Sequence, residues 1–386
     1  MAKQKNIYLD NGATTPVDPR VVKEMLPYFT KKYGNASSIH PVGDEAKETL
    51  EKSRAIIAKK INADPNEIIF TSGGTESDNL AIRGVAYAKK DKGNHIITSA
   101  IEHPAVMNAC KQLSREGFEI TAVPVDSEGI VHIEDIEKAI TDKTILVSIM
   151  HVNNEIGTIQ PIEQIGKLAR KHGIYFHTDA VQSLCKVPIN VKKQNIDLAS
   201  FSAHKIYGPK GIGALYIRNG VNVQKQMIGG SQEFDKRSGT ENISGIVGFA
   251  KAVSIYGDAE NKRIAKLRDY LVAKITKEIL NVKLNGHPKL RVCNNANISF
   301  KFVEGESMLL HLAMKGISVS TGSACSSRSL KPSYVLTAIG LPVTVSHGSL
   351  RMTLGRWTAK QDIDYFVKNL KEIVKMMRAI SPLTRK

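Results

Sequence analysis

The sequence lacks the marks of membrane and secreted proteins. No run approaches the roughly 18 apolar residues of a membrane-spanning helix, and residues 1–9 hold no long apolar stretch of the kind found in a secretory signal. The four cysteines, Cys110, Cys185, Cys293 and Cys325, are widely spaced and form no C-x-x-C pair. We therefore expect a cytoplasmic protein with reduced thiols and no disulfide framework.

The motifs of several large enzyme classes are also missing. The chain contains no H-E-x-x-H, no G-x-S-x-G and no G-x-x-x-x-G-K-[ST], which argues against a zinc peptidase, an α/β-hydrolase and a P-loop nucleotide hydrolase. Acidic residues are few, 37 against 54 lysines and arginines, so the formal net charge is +17. Because the densest basic clusters, such as Lys31-Lys32, are only pairs, we expect a basic surface that favours acidic partners and no nucleic-acid ligand.

A pattern of alternating strands and helices fills the first two thirds of the 386-residue chain. Short apolar runs predict strands at residues 68–70, 96–98, 119–125, 144–151, 174–177, 196–201 and 211–217. Amphipathic stretches before and between them predict helices, the first at 19–28. The alternation indicates an α/β fold with a mostly parallel sheet flanked by helices. We assign residues 15–255 to this large domain.

The pattern changes near residue 255. A long charged helix at 259–280 is followed by strands at 296–300, 317–320 and 348–354 and by a final helix at 359–377. Thr358 with Gln361 predicts a capping box at the start of that last helix. We expect a smaller α+β domain of residues 1–14 and 256–386, with a mobile cysteine-bearing loop at about residues 318–332.

Polar residues follow most of the predicted strands, where parallel α/β sheets bind their ligands. Gly74 and Thr75 come after the first strand and open a helix, so that bare N–H groups at the helix N-terminus form an anion site. The residues that follow later strands are His103, Asn154, Asp179, Gln182, Ser202, His204 and Lys205. Because these strands end at one edge of the sheet, we predict that these side chains gather in a single site.

Lys205 is the centre of this set. It comes after the buried run 196–201 and before a glycine-rich turn at 208–213. Desolvation lowers the pKa of a lysine, and a neutral amine is a nucleophile toward carbonyl carbons. The alternative is an ordinary solvated loop lysine, and for Asp179 and His103 it is a helix cap or, for the histidine, a core position.

A phosphate site, a carboxylate, a stacking imidazole and a lysine are together what pyridoxal 5'-phosphate requires. In such a site Lys205 forms the Schiff base, and Asp179 keeps the ring nitrogen protonated so that the ring acts as an electron sink. His103 can lie over the ring. The residues of this edge therefore indicate a pyridoxal phosphate enzyme.

Nine motifs occur in order along nearly the whole chain. They are YLDNGATTP at 8–16, TSGGTES at 71–77, EHP at 102–104, HVNNEIG at 151–157, DAVQ at 179–182, SAHK at 202–205, RSGT at 237–240, SACSS at 323–327 and RMTLGR at 351–356. In order and separation they resemble the class V aminotransferase group, and within it the NifS/IscS-type cysteine desulfurases. The resemblance implies a fold-type I pyridoxal phosphate enzyme that forms a homodimer with sites at the subunit interface.

The resemblance also implies roles for single residues. The residues that it places at the phosphate are Gly74, Thr75, Ser202, His204 and, lent by the other subunit, Thr240, and it places Ala203 in the cofactor site. By the same likeness Asp179 and Gln182 address the ring nitrogen and the ring oxygen. Asn154 belongs to the cofactor site and, with Arg351, faces the substrate carboxylate.

Cys325 decides the subclass. It lies in a run of small polar residues that has little to pack, so such a loop can move and bring a thiol to a substrate. The resemblance implies that L-cysteine is converted to L-alanine, with its sulfur left on Cys325 as a persulfide. His103 would manage protons, and an iron–sulfur scaffold protein or a thiolation enzyme would accept the sulfur. Cys325 is also a candidate transient ligand of an iron–sulfur cluster shared with the scaffold.

Three positions depart from the family pattern. Gly12 replaces the usual alanine, Ala203 replaces the usual glycine, and Cys185 stands where glycine is common. None of them removes a chemical group that the reaction needs. Two rival functions stay open: a selenocysteine lyase or other class V enzyme, and a non-catalytic basic binding protein, which would hold no cofactor.

Overall fold

The structure is a computed structural model that describes residues 6–321 and 332–381. Its strands are β1 (Ile7–Tyr8), β2 (Ile68–Thr71), β3 (His95–Ser99), β4 (Glu119–Val123), β5 (Thr144–Ser148), β6 (Tyr175–Asp179), β7 (Leu198–Ser202), β8 (Gly213–Ile217), β9 (Val282–Asn285), β10 (Asn295–Phe300), β11 (Ile317–Ser318) and β12 (Ser349–Thr353). Its helices are α1 (Pro19–Met25), α2 (Pro27–Thr30), α3 (Pro41–Ile61), α4 (Gly74–Ala88), α5 (Pro104–Arg115), α6 (Ile133–Ala139), α7 (Ile162–Lys171), α8 (Gln232–Asp235), α9 (Ile243–Ser254), α10 (Asp258–Glu278), α11 (Gly305–Met314), α12 (Tyr334–Ala338), α13 (Val343–Ser346) and α14 (Lys360–Ile380).

Strands β2 to β8 form one seven-stranded sheet in the order β2-β8-β7-β6-β5-β3-β4. The pairs among β3 to β7 are parallel, whereas β8 is antiparallel to both of its neighbours, β2 and β7. The stretch between β7 and β8 contains no crossover α-helix, so the chain returns beside β7 in the opposite direction. The predicted α/β fold with a mostly parallel sheet is confirmed.

Both faces of this sheet are buried. Successive residues of a strand point to opposite faces, so Ile96 joins the core formed with α4 and α5, while Ile97 joins the core formed with α3 and α9. Leu146 and Val147 divide in the same way. Fully burying each such side chain stabilises the fold by about 1.5–3 kcal/mol, which is why the strands read as continuous apolar runs.

The later part of the chain builds a second core. Strands β12, β10 and β9 form an antiparallel sheet, and β1 pairs in parallel with β11. Helices α10 and α14 pack on this part, whose apolar cluster includes Leu271, Phe300 and Phe366 together with Leu9 from the N-terminal segment. This separate core supports the proposed division at residues 14 and 255, and the boundaries stay a prediction.

Three local predictions are corrected. Strand β5 ends at Ser148 rather than 151, because the apolar run continues into a buried connection. The helix predicted at 19–28 is interrupted, and α2 begins anew at Pro27, which has no N–H to continue α1. The capping box at Thr358 is wrong, since the Thr358 hydroxyl accepts from Gly355 N–H and Asp362 instead accepts from the Ala359 N–H, each at 2.9 Å.

Within residues 6–321 and 332–381, every helix is too short or too polar to cross a membrane.

Candidate active site

One cavity of about 360 Å³ lies at the carboxyl ends of β2, β6 and β7. The predicted site residues that line it are Gly74, Thr75, His103, Asn154, Asp179, Gln182, Ser202, His204, Lys205 and Arg351. Gly213 in β8 pairs with both Thr71 and Ser202, which brings these strand ends together. A Cβ at Gly213 would lie 2.5 Å from the Phe201 carbonyl oxygen and 2.7 Å from the Gly73 Cα, so the close approach requires glycine.

Lys205 sits in the cavity wall. It ends the single 3-10 turn Ala203–Lys205 that directly follows β7. Its Nζ donates hydrogen bonds to the carbonyl oxygens of Gly12 (2.7 Å) and Ala13 (2.8 Å). The amine is therefore held by the N-terminal segment and is not that of a solvated loop lysine. That the amine is neutral stays a prediction.

Asp179 and His103 lie close to each other in the cavity. A carboxylate oxygen of the one and a ring nitrogen of the other are within 4.8 Å. Burial raises the pKa of Asp179, and this rise is opposed by His103, by the Val181 N–H that donates to its Oδ1 (2.9 Å) and by the charge of Lys205. Burial lowers the pKa of His103 against the attraction of Asp179. The imidazole is therefore neutral at neutral pH.

The hydrogen bonds of His103 also fix its tautomer. The residue is the N-cap of α5, and its Nδ1 accepts from the Ala105 N–H at 3.2 Å. A neutral ring whose Nδ1 accepts carries its proton on Nε2. The capping interpretation and the site interpretation are thus compatible, because one nitrogen caps the helix and the other remains for chemistry in the cavity.

The N-terminus of α4 forms one end of the cavity. Helix α4 begins at Gly74, after Gly73 with a φ of 155°, and no side chain caps its first turn. A Cβ at Gly74 would lie 2.6 Å from the Val181 Cγ2, so the absence of a side chain keeps this corner open. Free N–H groups and the hydroxyls of Thr75 and Ser202 make the corner a suitable cradle for an anion.

His204 borders the same corner as a neutral ring. Its Nδ1 lies 3.1 Å from the Thr14 hydroxyl. Burial, followed by the charges of Lys205, Lys210 and Lys186, lowers its pKa to about 4. His204 can therefore offer a hydrogen bond to an anion without adding a positive charge.

Arg351 reaches the cavity from β12 of the second sheet. Its guanidinium pairs with Asp10 Oδ1 (3.0 Å) and donates to the Asn154 carbonyl oxygen (3.2 Å). In the described part of the chain, its Nε and the Asn154 side-chain oxygen are buried without hydrogen-bond partners. Because unpaired buried polar atoms are costly, these atoms fit a polar ligand that completes them.

Five residues that line the cavity were not predicted as site residues. They are Gly12, Ala13, Asp78, Met150 and Val181. Gly12 was noted only as a departure from the family pattern, and the backbone carbonyls of Gly12 and Ala13 carry no side-chain signal. Asp78 had one, since it lies one helical turn after Gly74 and so shares its helix face.

Two predicted residues lie apart from the cavity lining. Ala203 is fully buried in the core, and Thr240 is exposed. Cys325 lies outside the described residues. Cys185 is buried, with a φ of 64° and a pKa that burial raises to about 12, which suits a packing role better than a reactive thiol.

The profile of the aminotransferase class V family matches residues 7–366. The chain belongs to the class V aminotransferase family. Cysteine desulfurase IscS of Dictyoglomus turgidum is 52% identical to this protein over 382 residues, which covers 98% of the chain and 97% of the relative. The resemblance found in the motifs is thereby confirmed, and members of this family use pyridoxal phosphate.

Solved structures show the same likeness. A NifS-like protein superposes with a TM-score of 0.90 at 40% identity, and the match covers 96% of this protein and 100% of the NifS-like protein. The structure described as SspA in complex with cysteine gives a TM-score of 0.83 at 37% identity, covering 92% and 100%. These matches confirm the predicted fold class.

Proposed function

We propose that this chain is a pyridoxal 5'-phosphate-dependent cysteine desulfurase, which converts L-cysteine to L-alanine and takes the sulfur onto Cys325 as a persulfide. The observation that carries the proposal is the convergence of Lys205, Asp179 and His103 on one cavity beside the N-terminus of α4. Full-length similarity to cysteine desulfurases supports it.

The cavity residues fit the cofactor. The residues proposed to hold its phosphate are Gly74, Thr75, Ser202, His204 and, from a second copy, Thr240. Asp179 would pair with the ring nitrogen, Gln182 and Asn154 would contact the ring, and Lys205 would form the covalent link. When bound, pyridoxal phosphate supplies an electron sink for the charge that develops at the substrate α-carbon.

Arg351 and Asn154 would bind the substrate carboxylate. Arg351 offers its unpaired Nε, and a carboxylate can compete with Asp10 for the second guanidinium nitrogen. A two-pronged, charge-assisted contact of this kind fixes orientation as well as affinity. L-cysteine would thus be held by its carboxylate, with its amino group directed toward Lys205.

The remaining steps are proton and sulfur transfers. The substrate amine would displace Lys205 from the covalent link, and the freed Lys205 amine would move the α-proton, while His103 would exchange protons through Nε2. The Cys325 thiolate would attack the substrate sulfur. The carbon–sulfur bond then breaks, its electron pair stays on carbon, and a proton completes alanine.

We further propose a cytoplasmic homodimer in which the second copy supplies Thr240. The sulfur acceptor would be an iron–sulfur scaffold protein or a thiolation enzyme, with Cys325 as a transient ligand of the growing cluster. The formal charge of +17 favours an acidic acceptor, and the name IscS of the relatives fits the role in cluster assembly.

The test is to mix the purified protein with L-cysteine and measure alanine, sulfide and the mass of each cysteine peptide. The wild type should form alanine and add one sulfur atom to the Cys325 peptide. Cys325→Ser should still change the cofactor spectrum with cysteine yet release little alanine, whereas Cys185→Ser should behave as wild type.

Other outcomes would contradict the proposal in distinct ways. Added sulfur on the Cys185 peptide would move the acceptor thiol. Sulfide or selenide release without any protein persulfide would favour a selenocysteine lyase. A purified protein without cofactor absorbance or alanine production would favour the binding protein.

A further inference from the structure

Asp78 is a buried carboxyl in the cavity to which the proposed reaction assigns no role. It lies on α4, is 1% exposed and lines the cavity. Its Oδ1 has no hydrogen-bond partner among the described residues. The Ser200 hydroxyl donates to the carboxyl, and His177 Nε2 lies 3.7 Å from Oδ1.

Asp78 shares its surroundings with Asp179. Oxygens of both carboxyls and a ring nitrogen of His103 all lie within 4.8 Å of one another. Two buried carboxylates this close repel each other, which disfavours the ionisation of both at neutral pH. The arrangement therefore favours one proton on the pair.

The neighbours decide which member holds it. Asp179 accepts the Val181 N–H and feels the charge of Lys205, both of which stabilise a carboxylate. Asp78 has the Ser200 hydroxyl alone, and burial followed by the charge of Asp179 raises its pKa well above the ordinary value. The negative charge therefore resides on Asp179.

The other titratable groups that face Asp78 do not change this balance. His177 on β6 is neutral because burial lowers its pKa to about 3, and its ring nitrogens lie 2.8 Å and 3.0 Å from serine hydroxyls. Glu102 is fully buried, and burial raises its pKa to about 8, so it is largely protonated at neutral pH. His103 is neutral as well.

We propose that Asp78 carries a proton and acts as a positioning residue for Asp179, so that the buried pair presents a single negative charge to the cofactor ring nitrogen. This inference rests on the proposed cofactor site. It explains why a carboxyl with an unpaired oxygen is buried behind the residue that must remain ionised.

The protonation state is tested first on the cofactor-free protein, so that the result does not depend on the proposed function. The infrared difference between wild type and Asp78→Asn at neutral pH should contain the carbonyl stretch of a protonated acid. Glu102 is present in both proteins and cancels. Loss of a carboxylate band in place of the acid band would overturn the proposal.

The second test follows the absorbance of the bound cofactor against pH. Asparagine is as neutral as a protonated acid, so Asp78→Asn should keep the titration midpoint within about 0.3 pH units of wild type. Loss of an ionised neighbour should move the midpoint by about one unit or more, which is the result expected for the control Asp179→Asn. Such a movement in Asp78→Asn would contradict the inference.

The positioning role is tested by cofactor affinity. Asp78→Leu keeps the branched shape of the side chain but removes the polar group, and it should raise the dissociation constant of pyridoxal phosphate about tenfold or more, the effect of roughly 1.4 kcal/mol. Asp78→Asn should restore most of the affinity. Equal affinity in Asp78→Leu and wild type would remove the positioning role, whereas a wild type that binds no cofactor would refute the proposed function and leave the infrared result standing.

Discussion

Replacing Glu155 by glutamine should change how the stability of this protein depends on pH. Glu155 is 5% exposed, and its Oε2 accepts the Ser333 hydroxyl at 2.5 Å. Burial raises its pKa to about 7, against the opposing effects of the Ser333 hydrogen bond and the Arg351 charge. The folded protein therefore carries this carboxyl largely protonated at mildly acidic pH and charged only above neutrality.

The sign of the effect follows from proton binding. In the unfolded chain the carboxyl ionises near 4.5, and in the folded protein near 7. Between these values the folded state binds more protons than the unfolded state, so the free energy of unfolding falls as the pH rises through this window and levels off above it. The difference between the two values corresponds to roughly 3 kcal/mol.

Glu155→Gln keeps an acceptor oxygen for Ser333 and removes the charge. We expect the unfolding free energy of the variant, minus that of wild type, to rise by about 2–3 kcal/mol from pH 5 to pH 8. Urea unfolding of both cofactor-free proteins at matched concentrations measures it. Glu163→Gln, at an exposed ion pair on α7, is the control and should show no such rise. A flat difference for Glu155→Gln would refute the reasoning.

Four further predictions concern the proposed site and one buried ion pair. Lys205→Ala should abolish alanine formation and remove the lysine-linked cofactor absorbance, and retained turnover would contradict its assignment. Asp179→Ala should lower kcat about tenfold or more, since each 1.4 kcal/mol of lost transition-state stabilisation is about a tenfold loss in rate. A kinetically normal variant would show that Asp179 has only a structural role. Thr240→Ala should weaken cofactor binding in a homodimer, and light scattering that finds an active monomer would contradict the shared site. Glu233→Ala breaks a buried pair with Arg54 (2.7 Å) and should lower the unfolding free energy by about 3–5 kcal/mol, whereas a loss below about 1 kcal/mol in urea unfolding would contradict it.

The strands of the central sheet could be predicted because both faces are buried. Ile96 and Ile97 are both apolar and enter different cores, a pattern typical of a strand buried on both faces. The end of β5 could not be placed in the same way, since Ile149 and Met150 are as buried as the strand itself. Hydrophobicity reports burial, and it does not distinguish a strand from a buried connection.

The site could be predicted where chemistry lies in side chains at strand ends. Lys205, Asp179 and His103 were found in this way and line one cavity. Asp78 was missed because it lies within a polar helical stretch that is typical of a solvated face. The acceptors of the Lys205 amine were missed because they are backbone carbonyls, which every residue has.

The N-terminal segment has a consequence for synthesis on the ribosome. Residues 7–13 are translated early, yet β1 pairs with Ile317 and Ser318, and the Gly12 N–H donates to the Thr353 hydroxyl, 341 residues farther along. At roughly 5–20 residues per second, these partners emerge about 20–70 seconds later. A nascent chain can thus fold the seven-stranded sheet while the carbonyls that hold the Lys205 amine are still unplaced, and the site is completed only after residue 353 has been translated.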